Sequence, residues 1–346
     1  MDIIARDGEI VNIISSEIPR EITGIVSEIG EKWTMHKLSA KNVADKLMKI
    51  QKYARGYRMQ TCAEKIGMAV CQKCGRKHIT YAQLCRDRFC PVCGWRLALK
   101  RFANMVQIVQ GLRERYPESE WQFVTLTVAN CRPEELGVTL DEMARTWNCI
   151  WSRKSTKTRP IQGWARSLEV TYNKDTKTFH PHYHVLVLWD DGYSPDEFEQ
   201  EWLERAWMKT IQLRTVSQAQ KSEMVSAQNR CMISSIYDQE EEEAQEVTKA
   251  VLETYKYSIK SKDLQEMPLK IFKELDEKLK GRRMVAFGGI VKEYAQEMGL
   301  VNMDKAAETA DEDDDDQRAC MACGSTQVIE IVGQWAGDGY IWRRDT

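Results

Sequence analysis

Three of the chain's five histidines lie within five residues, in the segment HPHYH at positions 180 to 184. The apolar run that follows them predicts that the whole segment is a β-strand. Residues two apart in a strand point to the same face, about 6.5 to 7 Å from each other. His180, His182 and His184 would therefore line one face, and imidazoles grouped in this way are typical ligands of a divalent ion.

A carboxylate from a neighbouring strand would complete this metal site. Residues 166 to 172 alternate in character, with Leu168 and Val170 on one face and Glu169 on the other, so Glu169 is the candidate. A set of histidine and carboxylate ligands leaves positions open for water or a phosphate oxygen, which a metal needs in order to polarise a phosphodiester. The alternative interpretation is a surface histidine cluster at a strand edge.

Two closely spaced cysteine pairs among the eleven cysteines predict a zinc site. Cys71 and Cys74 are separated by two residues, as are Cys90 and Cys93, and fifteen residues lie between the pairs. Each pair would direct two thiolates toward one tetrahedral ion, and four thiolates leave no position for a substrate. We therefore expect a structural zinc, with Cys85 able to replace one ligand of the first pair. The alternative is a group of buried cysteines without a metal.

Further donors and basic residues surround this block. Cys62 and His78 lie close by in the sequence, and basic side chains together with zinc indicate a module that contacts DNA. We assign DNA contact to Arg96, Lys100 and Arg101.

A third pair of cysteines, Cys320 and Cys323, has no second pair after it. Three interpretations stay open. The pair binds zinc together with distant cysteines, it binds zinc together with another subunit, or it is an ordinary pair of cysteines.

Residues 242 to 264 predict a helix that exposes a tyrosine. Glu253 and Tyr257 are four residues apart and so are neighbours on one helical face, with Lys260 on the same stripe. A phenol has a pKa of about 10 and needs a base or a nearby cation before it can act as a nucleophile at neutral pH. Taken alone, the pattern is also typical of an ordinary amphipathic helix.

The elements that would position these residues divide the chain into six segments. We predict a helical N-terminal region (1–60), a zinc-binding module (61–95), a catalytic domain (96–265), a helical extension (266–303), an acidic linker (304–319) and a tail with one CxxC motif (320–346). In the catalytic domain, strands are expected at 122–128, 166–172 and 180–189. Helices are expected at 95–113, 133–151 and 197–208, besides the one that carries the tyrosine, and residues 267–303 are expected to form two helices split at Gly288 and Gly289.

The composition excludes a membrane-spanning protein. The chain has 346 residues and a net charge of -2, and its length allows two or three folded units. It contains no apolar run near the roughly 18 residues that span a bilayer, and its first residues do not resemble a signal peptide. We therefore expect a soluble, cytoplasmic protein.

Together these motifs resemble the plasmid rolling-circle replication initiators of the Rep_1 type, within the HUH endonuclease superfamily. The similar segments occur in matching order over roughly residues 60 to 265. They are FCPVCGWR (89–96), FVTLTV (123–128), LEVTYN (168–173), HPHYHVL (180–186) and ETYKYSIKSKD (253–263). The histidine strand and the E-x-x-K-Y-x-x-K pattern of the helix are the most specific of them.

The resemblance implies an α+β fold in which a central antiparallel sheet is flanked by helices, with the zinc module and the helical extensions added to it. His182 and His184 would be the metal ligands on either side of Tyr183, and His180 or Glu169 would be a further ligand. The ion would be Mg²⁺ or Mn²⁺.

The resemblance also implies how DNA would be cut. Tyr257 would be the nucleophile that keeps the 5′-phosphate and frees a 3′-OH primer, although Tyr255 is a competitor two residues away. Glu253 would be the general base that ends the cycle by hydrolysis. Lys256 and Lys260 would contact phosphate.

The implied partners are origin DNA, single-stranded or extruded at the nick site, and a helicase and DNA polymerase of a prokaryotic host. Two alternatives remain. The first is an HUH transposase or relaxase of a mobile element, although a relaxase usually carries its tyrosine before the histidines and a single-tyrosine transposase commonly lacks a zinc block. The second is a non-catalytic zinc-dependent DNA-binding regulator, for which the histidines and Tyr257 would be dispensable.

Overall fold

The structure is a computed structural model that describes residues 2–3, 13–153, 159–190, 203, 205–209, 231–235, 259–300, 320 and 322–345. The chain forms two compact units, one made of residues 1–97 with 305–346 and the other of residues 98–304. This division differs from the six predicted segments. The two ends of the chain belong to one unit because strands before residue 97 and strands after residue 320 form a single sheet.

Among the described residues, the helices are α1 (Arg20–Lys49), α2 (Tyr53–Gln60), α3 (Pro91–Arg115), α4 (Leu136–Ser152), α5 (Ser261–Glu266), α6 (Leu269–Leu279) and α7 (Gly289–Glu297). The strands are β1 (Asp2–Ile3), β2 (Ile13–Ile14), β3 (Lys65–Cys71), β4 (Lys77–Ala82), β5 (Trp121–Thr127), β6 (Ile161–Asn173), β7 (Thr178–Trp189), β8 (Cys231–Ser235), β9 (Val285–Gly288), β10 (Val328–Trp335) and β11 (Tyr340–Arg344). The presence of both helices and largely antiparallel sheets confirms the predicted α+β class.

The first unit contains a six-stranded sheet in the order β1-β2-β11-β10-β3-β4. Neighbours run antiparallel, except that β2 and β11 are parallel. Strand β10 lies between β3 and β11, so the residues after the acidic segment form the middle of this sheet. Ile13 and Ile14, which we expected in a helical region, instead form strand β2 and pair with β11.

Helix α1 presents a continuous apolar stripe because its buried residues recur at intervals of three and four. These residues include Ile22, Val26, Ile29, Trp33 and Val43. In the same unit, Tyr340 and Trp342 of β11 are fully buried. The hydroxyl of Tyr340 donates a hydrogen bond to the carbonyl of Ala63, beside the end of α2.

The second unit contains a five-stranded antiparallel sheet in the order β8-β5-β7-β6-β9. One face packs against α3 and α7, where Ile108, Leu186 and Val291 belong to the same buried cluster. On the opposite face, the ring of Trp147 on α4 contacts Tyr183. The three predicted strands are confirmed as β5, β6 and β7, and they are the three consecutive strands in the middle of this sheet.

Two sequence predictions for this unit need correction. Residues 266–303 are not a purely helical extension, because β9 pairs with β6 and α7 packs into the core. The four residues of β9, VAFG, do not alternate between apolar and polar, so they carry no strand period. The predicted helix through residue 264 does not run through Lys260, which has extended backbone angles and precedes the short helix α5.

No helix among the described residues combines the length and the apolar character that crossing a membrane requires.

Candidate functional site

The candidate metal site lies on the central strand of the five-stranded sheet. Leu186 and Leu188 of β7 belong to the core that packs on α3 and α7. Toward the start of β7 the same face continues as His184 and His182, because side chains two apart share a face. The register of β6 and β7 places Glu169 directly opposite His182. One face of the sheet therefore changes from apolar to polar at the point where these three residues meet.

Glu169, His182 and His184 form a compact buried group. The Oε2 atom of Glu169 lies 3.2 Å from Nε2 of His182 and 3.1 Å from Nε2 of His184. The potential ligand atoms of the three residues all lie within 4.8 Å of one another. The three residues are only 8%, 8% and 9% exposed, respectively. This arrangement matches the predicted combination of two histidines with the carboxylate of the neighbouring strand.

The other ring nitrogen of each histidine has a partner of its own. Nδ1 of His182 lies 3.3 Å from the carbonyl oxygen of His180, and Nδ1 of His184 lies 3.2 Å from Oγ1 of Thr125. A carbonyl only accepts hydrogen bonds, so Nδ1 of His182 carries the proton in that contact. A neutral ring then directs the lone pair of its Nε2 toward Glu169. Only a proton or a cation between the two atoms makes that contact favourable, and metal-ligating histidines are oriented in this way.

Glu169 is held in its ionised form. Burial raises the pKa of its carboxyl, but hydrogen bonds from His182 and His184, and the positive charges of these two rings in their protonated form, outweigh that effect. The pKa is therefore lowered to about 2. A carboxylate that is charged at neutral pH, beside two imidazole nitrogens, is a donor set that Mg²⁺, Mn²⁺ and other divalent ions accept.

His180 shares the face of the other two histidines but lies outside their group. Its ring centroid is 5.4 Å from that of His182, and it belongs to a different lining, that of a pocket of about 560 Å³. Burial, and then the charge of His182, lowers the pKa of His180. Glu169 and His180 were the two predicted candidates for the further ligand. The structure places Glu169, and not His180, in the group with His182 and His184.

The pocket beside His180 is closed on one side by helix α5. Lys262 and Asp263 of α5 line it together with Tyr172 of β6. Asp263 accepts a hydrogen bond from the backbone N–H of Tyr172, with a distance of 3.1 Å. The chain segment that follows the predicted tyrosine helix is thus attached to the strand that carries Glu169.

The predicted nucleophile segment can be located only in part. Lys260 is exposed and immediately precedes α5. Glu253, Tyr255, Lys256 and Tyr257 lie outside the described residues.

The cysteines predicted to share one zinc are divided between two clusters. Cys90 and Cys93 lie with Cys62 and Cys85. Cys71 and Cys74 lie with Cys320 and Cys323. The predicted set of Cys71, Cys74, Cys90 and Cys93 is therefore corrected. Spacing identifies pairs that can bind a metal, but it does not tell which two pairs face each other in the folded chain.

A shared signal marks all three cysteine pairs. Each is followed directly by glycine, in CQKCG (71–75), CPVCG (90–94) and CMACG (320–324). In each case the N–H of that glycine donates to the carbonyl of the first cysteine, which closes a tight turn around the pair. The glycine was therefore a sequence signal that Cys320 and Cys323 belong to the same kind of turn as the other two pairs.

The predicted DNA contacts differ in exposure. The guanidinium carbon of Arg96 lies 6.0 Å and 5.8 Å from the ring centroids of Trp33 and Trp95. Lys100 is half-buried. Arg101 is buried, with 6% exposed, which does not fit a direct contact with phosphate.

Known proteins match most of this chain. A family model described as "Replication protein", Rep_1, matches residues 76–340, which is more than half of the chain. The chain belongs to the Rep_1 family of replication proteins. This result confirms the resemblance seen in the motifs. The matched residues also extend beyond the acidic segment to include Cys320, Cys323 and strand β10.

Curated relatives cover most of the chain as well. A protein named "Protein rep" from Bacillus amyloliquefaciens is 30% identical over 287 residues, covering 80% of this chain and 81% of the relative. "Protein rep" from Lentilactobacillus hilgardii is 26% identical over 315 residues, covering 88% and 91%. "Protein rep" from Streptococcus pneumoniae is 28% identical, covering 79% and 80%. No solved structure matches this chain.

Proposed function

We propose that this Rep_1 protein initiates rolling-circle replication of a plasmid by nicking one strand of origin DNA at a defined site. The observation that supports this most directly is the buried group in which Glu169 lies 3.2 and 3.1 Å from Nε2 of His182 and His184. Two imidazoles and one carboxylate suit a divalent ion whose remaining positions are open to a phosphate oxygen. That is the property a metal-dependent DNA nuclease requires.

The residue between the two histidines, Tyr183, supports assignment to the HUH endonucleases. Tyr183 points to the opposite face of the sheet, is 3% exposed, and packs against Trp147 of α4. The guanidinium carbon of Arg166 lies 4.1 Å from its ring centroid. Tyr183 therefore anchors the strand in the core, so that His182 and His184 are presented on a rigid element.

We propose Mg²⁺ or Mn²⁺ as the catalytic ion, held by His182, His184 and Glu169. When bound, it would draw charge from the scissile phosphate and make the phosphorus easier to attack. The protein's own contribution is to fix the ligands. Thr125 and the His180 carbonyl orient the two rings, and Glu169 supplies a negative charge close to the ion.

Tyr257 would supply the nucleophile. After its phenol loses a proton, the oxygen attacks the scissile phosphorus, the bond from phosphorus to the 3′-oxygen breaks, and the 3′-oxygen takes up a proton. The 5′-phosphate stays on the tyrosine. Tyr257 lies four positions before Ser261, and a chain of that length reaches at most about 14 Å. Because Asp263 is bonded to Tyr172, a segment of this length would allow Tyr257 to approach the strands that carry the metal ligands.

The remaining steps would use residues close to Tyr257 in the sequence. Glu253 would take a proton from water, which then hydrolyses the phosphotyrosine bond at termination. Lys256 and Lys260 would contact the phosphates of DNA that is single-stranded or extruded at the nick site. The free 3′-OH would prime a host DNA polymerase while a host helicase separates the strands.

A structural zinc at Cys62, Cys85, Cys90 and Cys93 completes the proposal. The Sγ atom of Cys62 lies 3.6 Å from those of Cys90 and Cys93, and the Sγ atoms of Cys85 and Cys93 are 3.7 Å apart. These distances are close to the roughly 3.8 Å expected around a tetrahedral ion with Zn–S bonds of about 2.3 Å. The N–H groups of Cys85 and Arg86 point at Sγ of Cys62 and Cys93. Such bonds stabilise thiolates.

Buried Lys37 supports negative charge at this cluster. It is 0% exposed, and its Nζ donates to the carbonyls of Gln60 and Cys62 at 2.6 Å each. A buried ammonium is costly unless a negative charge lies nearby. Four thiolates around one zinc carry a net charge of about -2, which would offset that of Lys37.

A covalent-adduct assay tests the nicking proposal. The protein is incubated with single-stranded fragments of origin DNA and Mn²⁺, and the mixture is run on a denaturing gel. We expect a shifted band that requires the ion, is lost in Tyr257→Phe and persists in Tyr255→Phe. The variant His182→Ala should lose the adduct while it still binds DNA.

Other outcomes would point elsewhere. An adduct that persists in Tyr257→Phe would contradict the assignment of the nucleophile. DNA binding without any adduct would favour a non-catalytic, zinc-dependent DNA-binding regulator. Cleavage confined to the ends or the transfer site of a mobile element, and not at a replication origin, would favour a transposase or relaxase.

A further inference from the structure

A second cysteine cluster in the first unit joins residues that are far apart in the sequence. Sγ of Cys71 lies 3.6 Å from Sγ of Cys323, and Sγ of Cys74 lies 3.6 Å from Sγ of Cys320. All four sulfur atoms lie within 4.8 Å of one another. A disulfide would bring two of them to about 2.05 Å, whereas thiolates around a tetrahedral zinc lie about 3.8 Å apart. The geometry fits the second arrangement.

The two pairs have the same backbone conformation. The N–H of Gly75 donates to the carbonyl of Cys71 at 2.9 Å, and the N–H of Gly324 donates to the carbonyl of Cys320 at 2.7 Å. Both glycines are left-handed, with φ of +70° and +66°, a conformation that favours glycine. Each cysteine pair is therefore held in a tight turn that directs both sulfur atoms to one side.

A second pair of backbone bonds repeats this equivalence. The N–H of Cys71 donates to the carbonyl of Arg76 at 2.9 Å, and the N–H of Cys320 donates to the carbonyl of Ser325 at 2.7 Å. Two turns with the same hydrogen bonds face each other through four sulfur atoms, which is the arrangement of a closed four-thiolate site.

Strand pairing explains why these two turns meet. Cys71 is the last residue of β3, and Val328 is the first residue of β10. The strands are antiparallel with Cys71 opposite Val328. The turn after β3 and the turn before β10 therefore lie at the same end of these two neighbouring strands. The N–H of Gln72 extends the pairing by donating to the carbonyl of Gln327 at 2.9 Å.

We propose that Cys71, Cys74, Cys320 and Cys323 bind a second structural zinc, which fastens the strands β10 and β11 into the first unit. On binding, the four thiols release their protons to solvent and their thiolates ligate Zn²⁺, without any redox change. Cys74 and Cys320 are 246 positions apart, so the ion closes a long loop. Because cross-links over long loops remove much conformational freedom from the unfolded chain, the stabilisation should be large.

Counting zinc in the full-length protein tests this proposal. The measurement uses native mass spectrometry in a His182→Ala background, so that zinc at the histidine site is not counted. We expect two zinc ions per chain. In the same background, the double variant Cys320→Ser and Cys323→Ser should retain one, whereas the matched control Cys149→Ser, on α4 and outside both clusters, should retain two.

A spectroscopic measurement on the unmutated chain covers the case in which the double variant fails to fold. After replacement of zinc by ¹¹³Cd, the NMR spectrum should contain two resonances at shifts characteristic of four-thiolate coordination. Equal zinc counts in the double variant and the Cys149→Ser control, the absence of a ¹¹³Cd resonance coupled to the β-protons of Cys320 and Cys323, or iron in place of zinc would each overturn the proposal. None of these measurements depends on DNA nicking, so they remain decisive if the proposed function fails.

Discussion

Glu169 is surrounded by groups that suit the cation proposed above. Its carboxylate faces two Nε2 atoms, and the Nδ1 atoms of the same rings are turned to other partners. Burying three polar residues below 10% exposure is costly unless they are paired. Without an ion, at least one ring must be protonated to avoid lone pairs facing each other. The proposed divalent ion would satisfy all three residues at once.

The separate roles of the histidines can be tested by metal binding. We expect His182→Ala to weaken Mn²⁺ binding at least about tenfold, because it removes one member of the buried group, whereas His180→Ala should change the affinity less than about threefold. Isothermal titration calorimetry of both full-length variants makes the comparison. An equal loss of affinity in the two variants would show that His180 ligates the ion directly.

Among the secondary-structure elements, strand β6 links the metal site to the rest of the second unit. It carries Glu169, pairs with β7 on one side and with the short strand β9 on the other. Strand β9 leads into α7 at Gly289, whose φ is +58°. A Cβ atom there would overlap the carbonyl oxygen of Gln162 at the start of β6. The glycine is thus required by both the conformation and the close approach of two strands.

Two glycines with similar φ allow these effects to be separated. Gly281 has φ of +73°, and a Cβ atom added to it would have no neighbour within 4 Å, whereas Gly289 is crowded. We expect Gly281→Ala to lower the free energy of unfolding by about 1 kcal/mol from backbone strain alone. Gly289→Ala should lower it by about 3 kcal/mol or more, because the overlap adds to the strain.

Urea denaturation of both full-length variants measures this difference. If the two substitutions proved equally costly, the close approach of β9 to β6 would not contribute to stability.

In the molecule as a whole, the first unit is built from two distant parts of the sequence. Strands β10 and β11 lie inside its sheet, and Tyr340 and Trp342 are fully buried. The residues that connect the two parts in sequence include the entire second unit. The first unit therefore needs residues 320–345 for its core as well as for its second cysteine cluster.

Cleavage of the connection tests this organisation. A protease site inserted within residues 305–319 is cut, and the products are separated by gel filtration. We expect the fragment that carries β10 and β11 to co-elute with the rest of the chain, because its strands are hydrogen-bonded on both sides. Addition of a zinc chelator should release it. The uncut protein with chelator is the control, and release without chelator would contradict the structure.

Features that depend on local spacing could be predicted from the amino-acid sequence alone. A period of two identified β5 and β6, and the apolar run after the histidines identified β7. The same period placed Glu169 and the histidines on their strand faces, because side chains alternate in a strand whatever surrounds it. The motifs were specific enough to indicate the Rep_1 family. The CxxC spacing likewise identified three cysteine pairs, and each of them lies in one of the two cysteine clusters.

Which of these local features meet was settled by the tertiary fold. The pairing register brought Glu169, and not His180, to the other two histidines. The pairing of β3 with β10 joined Cys71 and Cys74 to Cys320 and Cys323, leaving Cys90 and Cys93 to Cys62 and Cys85. Contacts between distant residues depend on which strands pair, and the alternation within one strand fixes its buried face but does not tell which distant strand lies beside it.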